Sequence, residues 1–180
     1  FKRSRQVSSR LTKGIAFLMK KNNIEVFEGK AVLKAAGKLL VELNAGGEEE
    51  LTAKDIILST GAHATVIPGW EPDGEKILDF EQAIMRESLP KSAVVIGGGA
   101  IGVEIATVWS GYGVEVTIVE MLPHILPNED EEAANELAKA FKKRGVNVLA
   151  DTKVKSITKT ESGTSVLVET AKGEETDRKS

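Results

Sequence analysis

The residues best suited to chemistry are three glycines at fixed spacing, Gly97, Gly99 and Gly102, in the stretch Val94-Val95-Ile96-Gly97-Gly98-Gly99-Ala100-Ile101-Gly102. An apolar run precedes them and an apolar-rich helical pattern follows. In that setting each glycine has a physical task. Gly97 turns the chain off a strand. Gly99 lets backbone approach a diphosphate that any side chain would meet. Gly102 lets the helix lie close on the strands. An anion at the head of that helix meets free N–H groups and the positive end of the helix dipole. Gly98, Ala100 and Ile101, the remaining loop positions, are expected to touch the cofactor as well. Glu120 follows at the end of the next expected strand, Val114 to Val119, about twenty residues on, where an acid accepts hydrogen bonds from adenosine ribose hydroxyls. Its charge repels a 2′-phosphate, and the following Met121-Leu122-Pro123 offers no arginine to hold one. The expected ligand is therefore NAD(H) rather than NADP(H).

These residues need a scaffold. The sequence predicts strands at 93–96 and 114–119, each followed by a helix, at 100–112 and 128–144. Ile101, Ile105, Val108, Trp109 and Tyr112 share one expected helix face, and Ala134, Leu137, Ala138 and Phe141 the other helix's. The acidic stretch Glu129 to Glu132 suits a helix start, and Lys142-Lys143-Arg144-Gly145 a helix end. Strands follow at 146–149, 154–158 and 165–169. Alternating strands and helices define an α/β protein. The expected architecture is a Rossmann-like parallel sheet with helices on one side and a β-meander on the other, three layers in the order ββα.

An earlier segment follows a related plan. A helix over 4–22 carries Leu11, Ile15, Leu18 and Met19 at helical spacing. Strands at 24–28, 31–35 and 39–43 follow, then a polar turn over 44–50, then the apolar run Asp55 to Ser59, read as a buried strand. The matched order suggests two tandem units, the first without its beginning and the second without its last strand. Both ends read as cut. The divisions expected are 1–68, a linker with a short helix over 69–90, and 91–180. The absent strand would leave the 93–97 strand with an open edge, for 55–59 or a second molecule to fill.

Composition narrows the classes. The chain has 180 residues, 41% of them apolar and 28% charged, with a formal net charge of -3, the balance of a soluble globular protein without a basic nucleic-acid footprint. No apolar run reaches the length of a membrane span. Without cysteine these residues make no disulfide and do no thiol chemistry.

With Leu11-Thr12-Lys13-Gly14, VVIGGGAIGVE (94–104), VTIVEML (116–122) and Ile125-Leu126-Pro127 ahead of Glu129 to Glu132, nearly the whole chain resembles the dihydrolipoamide dehydrogenase family of flavin disulfide reductases. The resemblance implies that residues 1–65 end a first FAD-domain segment, that Thr60, Gly61 and Ala62 close it beside FAD, and that Ala31 makes a backbone contact to the FAD adenosine. It implies that Val154 touches the NAD adenine and that Glu104 lies near nicotinamide and flavin, opposite a lysine this chain lacks. Ala64-Thr65 departs from the family's usual residues after Thr60-Gly61. The family's cysteine pair and FAD phosphate loop fall upstream of residue 1, and its His-Glu pair in a C-terminal domain, so no catalytic residue is expected here. His63 and His124 match no catalytic histidine.

The implied activity of the whole protein is oxidation of dihydrolipoamide, carried by an acyltransferase, through a redox disulfide and FAD, with hydride passed to NAD. It would act as a homodimer in cell redox homeostasis, in the bacterial cytoplasm or the mitochondrial matrix. The 180 residues alone are expected to be inactive. Alternatives are the NAD-binding segment of another flavoprotein reductase and a non-catalytic NAD-sensing module. No metal site, nucleic-acid partner or membrane association is expected.

Overall fold

The structure, a computed structural model, describes residues 1–161, 163–170 and, as backbone, 175–179. It divides into two compact units, Phe1–His63 and Ala64–Ser180.

The first unit opens with helix α1 (Lys2–Lys21), which has Lys20 and Lys21 in its last turn and no buried residue. It ends where Asn22 donates its backbone N–H to the Leu18 carbonyl and Asn23 takes a left-handed φ of 55°. The apolar positions Leu11, Ile15 and Leu18 are exposed. Strands β1 (Gly29–Ala35), β2 (Lys38–Leu43) and β3 (Glu48–Thr52) form an antiparallel meander in that order. Val41 is its buried hydrophobic residue.

Three expectations change in this unit. The segment 24–28 is irregular, and the strand begins at Gly29. The turn is shorter than 44–50, because Gly46 and Gly47, at φ 93° and 89°, reverse the chain at once and free Glu48 to Thr52 to pair with β2. The run 55–59 is not a strand. Ile57 is 89% exposed and Leu58 70%. Its hydrophobicity alone suggested burial, but a strand needs partners for its backbone groups, and here it has none among the described residues.

The second unit contains helix α2 (Phe80–Met85), strand β4 (Ser92–Ile96), helix α3 (Ala100–Gly111), strand β5 (Glu115–Val119), helix α4 (Glu131–Lys143) and strands β6 (Asn147–Leu149), β7 (Thr152–Thr160), β8 (Gly163–Thr170) and β9 (Glu175–Lys179). β4, β5 and β6 form a parallel sheet in that order, and β7, β8 and β9 a second antiparallel meander. Pleating sends alternate side chains of each strand to opposite faces. Ala93 and Val95 of β4 and Val116 and Ile118 of β5 pack with Val103, Ala106 and Trp109 of α3 and Phe141 of α4. Val94, Val119 and Leu149 instead pack with Val154, Val166 and Val168 of the meander. The unit is therefore three layers, helices over parallel sheet over meander. Each fully buried valine contributes roughly 1.5–3 kcal/mol relative to exposure.

Local signals set the helix ends. Asp79 and Gln82 form a reciprocal capping box at α2, and Asp130 caps α4 by accepting the Ala133 N–H at 3.0 Å. The cap starts α4 at Glu131, later than the expected 128. The face of α3 also differs from expectation. Ile101, Val108 and Tyr112 are exposed, and Val103, Ala106 and Trp109 are buried. The helix is apolar nearly all round, so periodicity could not say which side meets the sheet. β9 continues the chain past the expected end of the meander. β4 pairs only with β5 among the described residues.

The segment before α2 is tied to the meander. Asp73 accepts the N–H groups of Glu75, Lys76 and Ile77 at 2.8–2.9 Å and pairs with Lys159 at 2.7 Å. The Lys76 amine donates to the Thr160 carbonyl. The Lys159 ammonium, with those backbone donors, holds the Asp73 carboxyl well below the usual carboxylate range.

Candidate functional site

The strand β4, the glycine loop and the head of α3 bring the expected nucleotide residues together. Gly97 leaves the strand at φ 102°, a conformation that side chains disfavour, and its N–H donates to the Val119 carbonyl at 2.9 Å. This bond carries the β4–β5 pairing one residue beyond the strand. Gly102 packs against that turn. A Cβ there would stand 2.1 Å from the Gly97 carbonyl oxygen, so the helix approaches only because the position lacks one. A Cβ on Gly99 would meet nothing within 4 Å. That space beside the helix head is open. Ala100 and Ile101 begin α3 and are exposed.

Glu120 follows β5 directly and is 7% exposed. Its backbone is fixed on both sides, its N–H donating to the Leu149 carbonyl at 2.8 Å and its carbonyl accepting the Thr152 N–H at 3.0 Å. The side chain turns back to the loop. Oε2 accepts the Gly98 N–H at 2.7 Å, and Oε1 accepts the Leu122 N–H at 2.9 Å. The carboxylate therefore links the glycine loop to the segment after β5. With two backbone donors engaged, it retains acceptor positions, since an ionised carboxylate offers about four.

Ile125 and Leu126 complete this arrangement; the sequence marked them as part of a motif but gave them no role in it. Ile125 is 1% exposed, and its Cγ2 would lie 2.8 Å from a Cβ on Gly98. The Leu126 N–H donates to the Gly98 carbonyl at 2.7 Å, with Leu126 at φ 52°. No local signal marks these contacts. They join residues some 27 positions apart. Gly98, an unspecified position of the motif, is more tightly enclosed than Gly99.

The other expected residues are placed as follows. Glu104 is exposed on α3. Val154, on β7, pairs with Val168 and is partly buried in the meander-side cluster. In the first unit Ala31 is exposed on β1, and Thr60, Gly61 and Ala62 are exposed in irregular backbone, Gly61 at φ 82°. His63 is exposed, and His124 places Nδ1 2.9 Å from the Ile125 carbonyl oxygen. Among the described residues no group of three or more His, Cys, Asp and Glu could hold a metal, and no helix is long and apolar enough to cross a membrane.

The sequence relationships agree with this geometry. The chain is 43% identical over 164 residues to a dihydrolipoyl dehydrogenase of Chlorobaculum tepidum, covering 91% of this chain and 35% of that protein. It is 41% identical over 174 residues to one from Zymomonas mobilis, covering 97% and 37%. The chain thus spans little more than a third of the length of these relatives. Among solved structures it resembles LpdA from Mycobacterium tuberculosis, with a TM-score of 0.82 at 27% identity over 97% of this chain and 39% of that one. A NAD-dependent persulfide reductase from A. fulgidus gives 0.65 at 26% identity, over 91% and 32%. Residues 2–179 match the pyridine nucleotide-disulphide oxidoreductase pattern, and with the glycine loop and buried acid in place, the chain belongs to that family.

Proposed function

We propose that this chain is the NAD-holding segment of a dihydrolipoamide dehydrogenase. The observation that carries the reading is the buried Glu120 carboxylate, bonded to the glycine loop beside the open head of α3. The residues fit an adenine dinucleotide. Gly99 leaves room for the diphosphate, the first N–H groups of α3 have no intrahelical acceptor, and the spare acceptor positions of Glu120 suit ribose hydroxyls. Gly97, Gly98 and Gly102 shape the loop, and Ala100 and Ile101 supply helix-head amides. Val154 would border the adenine, and Glu104 the nicotinamide end. Bound NAD would supply the hydride-accepting ring; the protein's part here is to bind and orient it.

For FAD the described residues offer no comparable cradle. Ala31, Thr60, Gly61 and Ala62 are exposed and enclose nothing by themselves. FAD, the redox disulfide, the dihydrolipoamide substrate on its acyltransferase, the homodimer and a cytoplasmic or matrix location belong to the proposal for the whole protein. The 180 residues contain no cysteine, so the thiol–disulfide step is not carried by them, and the chain alone would be inactive toward dihydrolipoamide. A second reading, another NAD-linked flavoprotein reductase, draws on the likeness to the persulfide reductase at 26% identity. The dihydrolipoyl dehydrogenases at 41–43% favour the first.

Isothermal titration of the 180-residue chain with NADH and with NADPH tests this reading. NADH should bind at least about tenfold more tightly, a difference of roughly 1.4 kcal/mol. No heat with millimolar NADH, or equal affinity for the two, would overturn it.

A further inference from the structure

We infer that Ile125 and Leu126 are positioning residues for the nucleotide: they fix Gly98 from outside the ligand space and so set the shape in which the glycine loop meets a diphosphate. This rests on the proposal that NAD(H) binds at that loop. Both backbone groups of Gly98 are committed, its N–H to Glu120 at 2.7 Å and its carbonyl to the Leu126 N–H at 2.7 Å. Gly98 itself is buried. It therefore has no N–H to offer an anion, and the grip falls to the amides of Gly99, Ala100 and Ile101.

Packing reinforces the bonds. Ile125 sits over Gly98 so closely that a Cβ there would lie 2.8 Å from Cγ2 and 3.2 Å from the Cβ of both Ile125 and Glu120. Leu126 takes a left-handed φ of 52°, which a leucine adopts only when surrounding structure imposes it. The turn is anchored in its turn by the Glu129 N–H on the Leu126 carbonyl at 2.9 Å and the Asp151 N–H on the Leu122 carbonyl at 3.0 Å. The loop is thus held on one side by a carboxylate and on the other by an apolar wedge.

The inference predicts a size complementarity between positions 98 and 125. Gly98→Ala should weaken NADH binding about tenfold or more, because a displaced loop loses aligned charge-assisted hydrogen bonds. Ile125→Leu keeps the side-chain volume but removes the β-branch methyl that the new Cβ would strike, so Gly98→Ala/Ile125→Leu should recover most of that affinity. Titration with NADH and thermal unfolding are measured on each variant of the full chain. Val146→Ala, in the same core cluster, serves as the control. It should lower the melting temperature with little change in NADH affinity, whereas Ile125→Ala should change both. Should Gly98→Ala not fold alone, recovery of folding and binding together in the double variant supports the inference. It is overturned if Gly98→Ala leaves affinity unchanged, if the loss is the same in both backgrounds, if the double variant also fails to fold, or if Val146→Ala weakens binding as much as Ile125→Ala. Failure of the unsubstituted chain to bind NADH would instead remove the nucleotide reading, and this inference with it.

Discussion

The described residues form two three-stranded antiparallel meanders with very different surroundings. In the first, every residue of β1 is exposed, and Val41 of β2 is the one buried hydrophobic among the described residues of the unit. In the second, Val166 and Val168 of β8 are 3% and 1% exposed because the parallel sheet lies against them. The strand plan is shared and the burial is not. A meander is a surface waiting for a layer, and its stability comes from what it packs on more than from its own ladder. Helices repeat the contrast. α1 is twenty residues long and buries nothing, whereas the shorter α4 carries Ala134 and Phe141 at 0% and 1% exposure.

The largest test of that contrast is truncation of the central aromatic. Phe141→Ala should cost about 3–5 kcal/mol, while Leu11→Ala on α1 should stay within roughly 0.5 kcal/mol. Urea unfolding followed by circular dichroism reads both, and a comparable loss at Leu11 would break the distinction. The meanders give a smaller version. Val168→Ala should destabilise by about 2 kcal/mol through lost burial and a residual cavity, against a few tenths for Val32→Ala on β1. Equal midpoints for the two variants would show that the layers contribute alike.

The smallest effect concerns Asp73, which belongs to the second unit alone. Its carboxyl is depressed in the folded state, first by Lys159 and then by the Ile77 and Glu75 amides. A depressed acid contributes stability that is fully present above its unfolded value, near 4, and is lost as pH falls toward the folded one. Acid unfolding monitored below pH 4 should therefore be less steep in Asp73→Asn than in the unsubstituted chain. At pH 7 that variant should lose under about 1 kcal/mol, as expected of a partly exposed pair. An unchanged acid transition would show that the tie between the pre-helix segment and the β7–β8 hairpin carries no stability.

How much was legible in the sequence follows the range of the forces involved. Gly97, Gly102 and Glu120 were readable because each is tied to a local constraint: a turn, a close packing, a strand end. The α/β class with a parallel sheet was readable from strand and helix alternation. Three features were not. The run 55–59 looks buried because it is apolar, yet exposure is decided by which strands lie beside it. The glutamates of β3 look like a turn, yet two glycines reverse the chain early and β2 offers a ladder. The buried face of α3 was undetermined because the helix is apolar on several sides. In the site itself, Ile125 and Leu126 stand in a recognisable motif, yet their contact with Gly98 is tertiary and has no local signal.

The burial of Glu120 has a consequence for recognition. Its carboxylate gave up most of its water when the chain folded, and two backbone amides already stabilise its charge. Under the proposed reading, a ribose arriving at that acid would not have to strip a hydrated, mobile side chain or freeze its rotamers. Those entropic and solvation terms are settled in the folding equilibrium, so the polar part of the proposed nucleotide capture would begin from a rigid, largely dehydrated acceptor.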